Sequence, residues 1–468
     1  MRYSDPTVII NLARRAHNHN WELDPIVRSL LDTDFYKLLM LQFIWKHYAG
    51  TPTTFSLLNR DTGLRLADDI SIHELQCQLE HVQSLRFHKS EIIWLAGNTF
   101  YGRRGIFESA FLDWLEHEFR LSDYELSVCD GQFSLSFHGA WPNTTLWEIY
   151  ALSILSELKT RIALKRLTEL ELDMLYARAK ARLWDKTERL NGVPGLRISD
   201  FGTRRRHSFL WQEYVVRAMS DILGPSFIGT SNTYLAYKHD LEAIGTNAHE
   251  LPMALAAMAG SDEELRESQY RLLDLWQQTY QGELLILLPD TFGTTQFLRS
   301  APDWVADWTG QRADSKDPEV AGEEYIAWLE ARGRDPRNKL FIASDALDAD
   351  DILRLHAKFA GRIKPGHAAA DFRRAADFTD SGLWTPERRI RFSAGWGTLL
   401  TNDFRDCNPR GDASFDPPHL VCKLQDAAGR PAVKLSDNPE KALGVRSEVQ
   451  RYQRIFGSEG AERRALPS

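Results

Sequence analysis

Gly-Leu-Arg-Ile-Ser-Asp-Phe-Gly-Thr, residues 195–203, shows the pattern of the larger part of the chain: a short apolar run ends in small and polar residues, and a helical pattern follows. Comparable runs occur at 227–232, 243–246, 284–291, 305–315, 339–346 and 391–398. Because strand and helix alternate, we predict an α/β fold with a parallel sheet. Polar residues stand at the downstream ends of these runs, which favours an irregular (β/α) barrel over a doubly wound sheet.

The two ends of the chain have a different texture. Residues 1–141 mix helical and strand-like segments, so we expect an N-terminal α+β domain there. A long helical pattern opens the barrel domain, residues 142–405, which carries an insertion at about 364–389. Residues 406–468 contain a predicted β-hairpin and are expected to pack on the N-terminal domain. A second α+β domain would therefore be built from the N- and C-terminal parts of the chain.

The composition is that of an ordinary globular protein: 43% of the 468 residues are hydrophobic and the net charge is −8. This negative net charge does not indicate the broad basic surface that binds nucleic acid. No apolar run approaches the roughly 20 residues that a membrane helix needs. The sequence start lacks a signal-peptide pattern, and the four cysteines form no Cys-x-x-Cys pair. We expect a cytoplasmic protein that binds neither nucleic acid nor membrane.

The densest chemical signal is Asp-Phe-Gly-Thr-Arg-Arg-Arg-His-Ser, residues 200–208, at the end of a predicted strand. Arginines behind a Gly-Thr turn supply the bidentate donors and backbone N–H groups that recognise phosphate or carboxylate. The same spacing also fits an alternative, in which these arginines begin a helix and pair with acidic residues on the surface. Gly-Trp-Gly-Thr at 395–398 resembles a second, short phosphate cradle.

His249 stands among small hydroxyl and amide residues in Gly-Thr-Asn-Ala-His-Glu, residues 245–250. An imidazole there can act as a nucleophile or base, with Glu250 to orient the ring, or it can be a satisfied structural histidine. Asp314 and the Ser-Asp pair at 344–345 follow apolar strands. Their carboxylates can hold ribose hydroxyls or Mg²⁺, and they can equally cap the next helices.

The order of these motifs resembles nicotinate phosphoribosyltransferase over nearly the whole chain. The motifs are Leu-Leu-Asp-Thr-Asp-Phe-Tyr-Lys (30–37), those at 200–206, 229–232, 245–250, 290–294, 312–318, 341–348 and 395–403, and Lys-Leu-Ser-Asp (434–437). The resemblance implies a type II phosphoribosyltransferase fold and a homodimer with shared active sites. It also implies that nicotinate and phosphoribosyl pyrophosphate give nicotinate mononucleotide and pyrophosphate, with Mg²⁺ as cofactor and ATP as co-substrate. ATP hydrolysis would be coupled through a phosphohistidine, here His249.

The resemblance and the chemistry of the reaction assign further residues. Those expected to bind phosphoribosyl pyrophosphate are Arg60, Arg204, Arg205, Asp314, Ser344, Gly395, Gly397 and Thr398. Those expected to bind nicotinate are Tyr36, Phe201, Ser231, Thr246 and Arg312. Tyr36 and Phe201 would enclose the pyridine ring, one from each subunit, and Thr246 and Arg312 would meet the carboxylate. No metal ligand is assigned.

Other functions compete with this one. Related nicotinamide enzymes carry an aspartate at the position of Ser231, where its negative charge would repel nicotinate. A site for quinolinate would need more basic residues around the second carboxylate of that substrate. Lys316 and Trp396 replace a glycine and a small aliphatic residue that are common in the family, so Lys316 would either add a phosphate ligand or narrow the pocket. A catalytically inactive, nucleotide-sensing homologue is the alternative from a different functional class.

Overall fold

The computed structural model describes residues 25–61, 63–344, 346–360 and 389–464. Within them the α-helices, numbered α1–α18, are Phe35–Tyr48, Leu66–Asp69, Ile72–Ser84, Lys89–Gly97, Ser109–His117, Trp141–Thr144, Trp147–Lys165, Glu169–Leu190, Phe209–Leu223, Thr233–His239, Glu250–Met258, Asp262–Thr279, Thr294–Ser300, Pro318–Ala331, Ala349–Phe359, Thr398–Thr401, Phe404–Cys407 and Arg446–Phe456. The strands, β1–β13, are Pro52–Asn59, Thr99–Phe100, Arg103–Arg104, Tyr124–Cys129, Gln132–Ala140, Ile198–Asp200, Phe227–Thr230, Ile286–Leu287, Gly310–Ala313, Leu340–Ser344, Arg391–Trp396, Leu420–Ala427 and Arg430–Pro431.

An antiparallel sheet joins the two ends of the chain. Its strand order is β13-β12-β1-β5-β4, so β1 pairs on one side with β5 and on the other with the C-terminal strand β12. In β5 the aromatic and leucine side chains Phe133, Leu135 and Phe137 are buried, while the serines between them are less so. This alternation is what a half-buried strand requires. The predicted second domain, made from both chain ends, is confirmed.

The predicted C-terminal hairpin is present as β12 and β13. Ala427 pairs with Arg430, and the two residues between them, Ala428 and Gly429, have φ of 55° and 72°. A two-residue turn with both φ values positive matches the twist of an antiparallel pair. Gly429 takes this conformation without the steric cost that a side chain adds.

The predicted parallel sheet is also confirmed, with the strand order β7-β6-β11-β10-β9-β8. The run at 243–246 adds a single bridge, from Ala243 to Thr230 of β7. Between that run and β8, the Asn247 side-chain amide donates to the Ile286 carbonyl at 3.3 Å. Within the described residues the strand ladder is thus open at this point, and closure into a barrel stays a prediction.

Helix α7 connects the two units. It is buried on nearly all sides, and its buried residues include the charged side chains Glu148, Glu157 and Arg161. Its Glu148 pairs with Lys423 of β12, and its Ser156 hydroxyl donates to the Arg204 carbonyl, 3.4 Å away, in the turn after β6. The predicted insertion falls outside the described residues except for Arg389. No helix among the described residues is both long and apolar enough to span a bilayer.

Candidate active site

A cavity of about 2180 Å³ lies along the parallel sheet, and its lining includes the residues at the carboxyl ends of several strands. All but one of the predicted site residues line it: Tyr36, Arg60, Phe201, Arg204, Arg205, Thr246, His249, Arg312, Asp314, Ser344, Gly395, Gly397 and Thr398. Residues far apart in sequence meet here because parallel strands end at one edge of a sheet. The exception is Ser231.

His249 immediately precedes α11 and is held at both ring nitrogens. Nδ1 lies 2.9 Å from the Thr291 hydroxyl, and Nε2 lies 2.9 Å from Asp314 Oδ2 and 3.7 Å from Asp290 Oδ1. Burial lowers the pKa of His249 against the raising effect of the two carboxylates. A neutral ring that donates Nε2–H to Asp314 keeps its lone pair on Nδ1, where Thr291 donates to it. In this tautomer Nδ1 is the ring nitrogen that carries the lone pair.

Glu250 does not orient the imidazole, so that expectation is wrong. Its Oε1 accepts a hydrogen bond of 2.6 Å from Trp141 Nε1, and its other oxygen pairs with Lys37. Lys37 Nζ also lies 2.8 Å from Glu148 Oε2, with its side chain fully buried. Burial alone would raise the pKa of Glu148, but Lys37, Lys423 and Arg204 hold it far below its usual range. Glu250 is thus an anchor for the start of α11.

Asp290 and Asp314 form the acidic wall of the site. Ligand atoms of these two residues and of His249 all lie within 4.8 Å of one another. Asp290 Oδ2 accepts from the Ser315 hydroxyl at 2.5 Å, whereas its buried Oδ1 has no hydrogen-bond partner within the described chain. An unsatisfied buried carboxylate oxygen beside a second carboxylate suits a hard cation such as Mg²⁺. The aspartates therefore fit the expected metal.

The C-terminal segment supplies cations that the sequence analysis did not assign. Lys423, Lys434 and Lys441 all line the cavity with Arg60 and Arg204. Lys434 Nζ is 3.9 Å from Asp290 Oδ2, and Lys441 Nζ donates to the Asp314 carbonyl at 3.2 Å. These lysines are spread along a segment that was predicted only to pack on the N-terminal domain. The one sequence signal for a lysine in the site was the Lys-Leu-Ser-Asp motif, which begins at Lys434.

The aromatic residues Tyr36 and Phe201 of one chain both line the cavity. The expected sharing of these residues between subunits stays a prediction. Phe201 packs on Gly395, where an added Cβ would lie 3.3 Å from the ring. Arg312 Nη1 donates to the Asn247 carbonyl at 3.2 Å, and its buried Nε has no hydrogen-bond partner in the described part of the chain. A guanidinium edge near the rings suits an aromatic carboxylate.

Ser231 is fully buried outside the cavity lining, and its hydroxyl donates to Asp34 Oδ1 at 2.6 Å. The other Asp34 oxygen lies 3.8 Å from Arg204 Nε. Burial raises the pKa of Asp34 more than Arg204 and Ser231 lower it. In this structure Ser231 can influence the choice of substrate only through Asp34.

The two departures from the family pattern lie outside the cavity lining. Lys316 pairs with Glu324 at 2.5 Å and donates to the Thr295 hydroxyl at 2.9 Å. Its ammonium neither contacts the cavity nor narrows it, so both expectations for Lys316 are wrong. Trp396 is fully buried, with the Lys186 ammonium 5.6 Å from its ring centroid. Its contribution to the site is its backbone carbonyl, which accepts from Phe201 N–H at 2.8 Å.

Comparison with known proteins identifies the family. Residues 196–459 match the model of the nicotinate phosphoribosyltransferase family, and residues 31–156 match the N-terminal domain of that family. The chain belongs to the nicotinate phosphoribosyltransferase family. The family match places the chain among phosphoribosyltransferases of NAD biosynthesis.

Solved structures with the same fold carry the same family name. A nicotinate phosphoribosyltransferase from Vibrio cholerae is 30% identical, with a TM-score of 0.75, and the match covers 93% of this chain and 95% of that one. A putative nicotinate phosphoribosyltransferase from Saccharomyces cerevisiae is 25% identical, with a TM-score of 0.75 and coverage of 93% and 99%. One from Porphyromonas gingivalis is 26% identical, with a TM-score of 0.74 and coverage of 92% and 100%.

Proposed function

We propose that this chain joins nicotinate to phosphoribosyl pyrophosphate and couples the reaction to ATP through a phosphohistidine at His249. The supporting observation is the neutral, buried His249 ring, held by Asp314 and Thr291 in a cavity lined with lysines and arginines. The family membership supports the phosphoribosyl transfer. The ATP coupling rests on the chemistry of the histidine.

In the transfer step the pyridine nitrogen attacks the anomeric carbon while the bond to pyrophosphate breaks. Positive charge develops on the sugar and negative charge on the leaving group, so preorganised cations stabilise the transition state. Arg60, Arg204 and Lys434 line the cavity and would bind the pyrophosphate. Arg312 would bind the nicotinate carboxylate, with Tyr36 and Phe201 about the pyridine ring.

In the coupling step the Nδ1 lone pair of His249 attacks the γ-phosphorus of ATP and ADP leaves. The proton stays on Nε2, where it is donated to Asp314, and this carboxylate stabilises the charge on the phosphorylated ring. The new phosphoryl group, with a charge near −2, lies beside Lys434 and would strengthen the hold on the second substrate. Water later cleaves the N–P bond and resets the site. Mg²⁺ bound by Asp290 and Asp314 would neutralise phosphate charge when present.

The test incubates the enzyme with Mg²⁺, phosphoribosyl pyrophosphate and either nicotinate, nicotinamide or quinolinate, with and without ATP. Nicotinate mononucleotide that forms faster with ATP, and an alkali-stable, acid-labile label from γ-labelled ATP, support the proposal. His249→Ala should lose the label and the ATP effect, whereas His138→Ala, at an exposed histidine outside the cavity, should keep both. An unchanged ATP effect in His249→Ala would refute the phosphohistidine. No product from any base favours the inactive, nucleotide-sensing alternative.

The homodimer and the cytoplasmic location belong to the same proposal. All four cysteines are free, with Cys407 and Cys422 buried and Cys77 and Cys129 exposed, as suits a reducing compartment. Light scattering during gel filtration tests the dimer. If subunits share their active sites, mixing Tyr36→Ala with Phe201→Ala subunits should restore activity, because one site of each mixed dimer keeps both aromatic side chains. Strong restoration would show that subunits share these residues.

A further inference from the structure

The cavity has a second end, at the opposite edge of the parallel sheet from His249. Along β6 and the residues beside it, Arg197, Ser199 and Phe201 all line the cavity. Residues i, i+2 and i+4 of a strand share one face and rise about 3.3 Å per residue, so Arg197 lies roughly 13 Å from Phe201 along the strand. The cavity thus runs through the inside of the sheet. Barrel interiors are normally filled by layers of large side chains.

The channel is open because its interior side chains are short. Ser199 and Ser393 line the cavity between its two ends, and the Ser393 hydroxyl donates to the Arg197 carbonyl at 3.3 Å. Ile228 and Ile342 complete an apolar wall. These short and apolar side chains would let a small planar molecule pass between the two ends of the cavity.

Two arginines occupy the far end. Arg197 directly precedes β6, and Arg391 begins the neighbouring strand β11. Neither guanidinium has an acidic partner within 4 Å in the described residues. Arg197 is exposed and Arg391 is half-buried. Partial desolvation lowers the pKa of Arg197, and the positive charge of Arg391 lowers it further. The carboxylates at this end, Asp221 and Glu283, belong to other elements of the rim.

We propose that Arg197 and Arg391 form a second anion-binding site, which takes a small carboxylate or phosphate anion at the amino-terminal end of the parallel strands. Two adjacent guanidiniums without a counter-ion repel each other, and a bound anion removes this repulsion through charge-assisted hydrogen bonds. The channel connects this site with the space beside Phe201. Nicotinate held there would be an entering substrate, an interpretation that rests on the proposed function. Phosphate held there would be an effector.

The first test reads the site without activity. Phenylglyoxal labels arginines, and mass spectrometry locates the label in the full-length protein, with inorganic phosphate or nicotinate added separately. Either anion should slow the labelling of Arg197 and Arg391 on the order of tenfold when it saturates the site. Arg86, an exposed arginine that donates only to backbone carbonyls, is the matched control and should label at one rate throughout. Unchanged labelling of Arg197 and Arg391 with both anions would overturn the proposal.

The second test separates the two sources with Arg197→Met and Arg391→Met, against Arg86→Met. For an entering substrate, KM for nicotinate should rise on the order of tenfold in either variant, with kcat and KM for phosphoribosyl pyrophosphate unchanged. For a phosphate effector, the variants should lose a phosphate effect that is not competitive with phosphoribosyl pyrophosphate. If the enzyme proves inactive, the labelling result still decides whether the anion site exists. Wild-type kinetics and phosphate response in both variants would refute a role for the site in turnover.

Discussion

Lys37→Met is the single change that best tests whether the buried ion pairs beside His249 stabilise the protein. Lys37 Nζ is fully buried between Glu148 Oε2, at 2.8 Å, and Glu250. Burial alone would lower the pKa of Lys37, but the two carboxylates raise it above its ordinary value, so the ammonium is charged. Methionine has a similar length and no charge. The variant therefore leaves Glu250 as an uncompensated buried carboxylate directly after His249.

The expected cost follows from burial. Breaking a buried ion pair by removing one partner costs about 3–5 kcal/mol, whereas an exposed pair contributes at most about 1 kcal/mol. The same helix α1 provides the control, because Lys46 pairs with Glu108 while both side chains are about 40% exposed. Lys37→Met should lower the free energy of unfolding by about 3–5 kcal/mol, and Lys46→Met by less than about 1 kcal/mol.

Urea unfolding followed by tryptophan fluorescence measures both variants. Lys37→Met combined with Glu250→Gln should recover part of the loss, because an amide does not leave an unpaired buried charge while Glu148 keeps Lys423 as its partner. The reasoning is refuted if Lys37→Met costs no more than Lys46→Met, or if the double variant is less stable than Lys37→Met. In either case Lys37 would not be the cation that balances these carboxylates.

Four further outcomes can be checked on the same protein. Asp314→Asn, which removes the acceptor for His249 Nε2–H, should slow nicotinate mononucleotide formation on the order of a hundredfold in steady-state assays. Lys316→Gly should change kcat/KM by less than about threefold, because its ammonium is paired outside the cavity. Lys434→Met should raise KM for phosphoribosyl pyrophosphate about tenfold, since it removes a cavity cation. Burial lowers the pKa of His207 to about 3, whereas an unfolded histidine titrates near 6.5. The free energy of unfolding should therefore decrease as the pH falls below about 6.5, by up to about 1.4 kcal/mol per pH unit. His207→Gln should make this decrease smaller in unfolding measurements.

The residues at the strand ends could be predicted from the sequence because the signal is local. Apolar runs followed by Gly, Thr, Asp or Arg mark strand termini wherever they occur, and parallel strands must end at one edge. Arg204, Asp314 and Gly395 were found in this way, and all line the cavity. The hairpin after β12 was predicted for the same reason, since a two-residue turn depends on its own backbone.

Contacts between segments that are distant in sequence could not be predicted from such local signals. Glu250 looked like a partner for His249 because the two are neighbours in sequence, yet at the start of a helix consecutive side chains point in different directions. Ser231 was expected to touch the substrate, but its strand end turns the hydroxyl toward Asp34. Lys316 looked like a phosphate ligand until Glu324, one helix further on, proved to be its partner.

The sequence by itself determined the α/β class, the family and the residue types at the carboxyl ends of the strands, because short-range periodicity and motif order carry that information. Only the tertiary structure decided which charges meet. It joined β1 to β12 and brought Lys423, Lys434 and Lys441 to the cavity. At the far end of the cavity it left Arg197 and Arg391 without acidic partners among the residues that the structure describes. Electrostatic energy depends on distance through space and on burial, and neither is a function of separation along the chain.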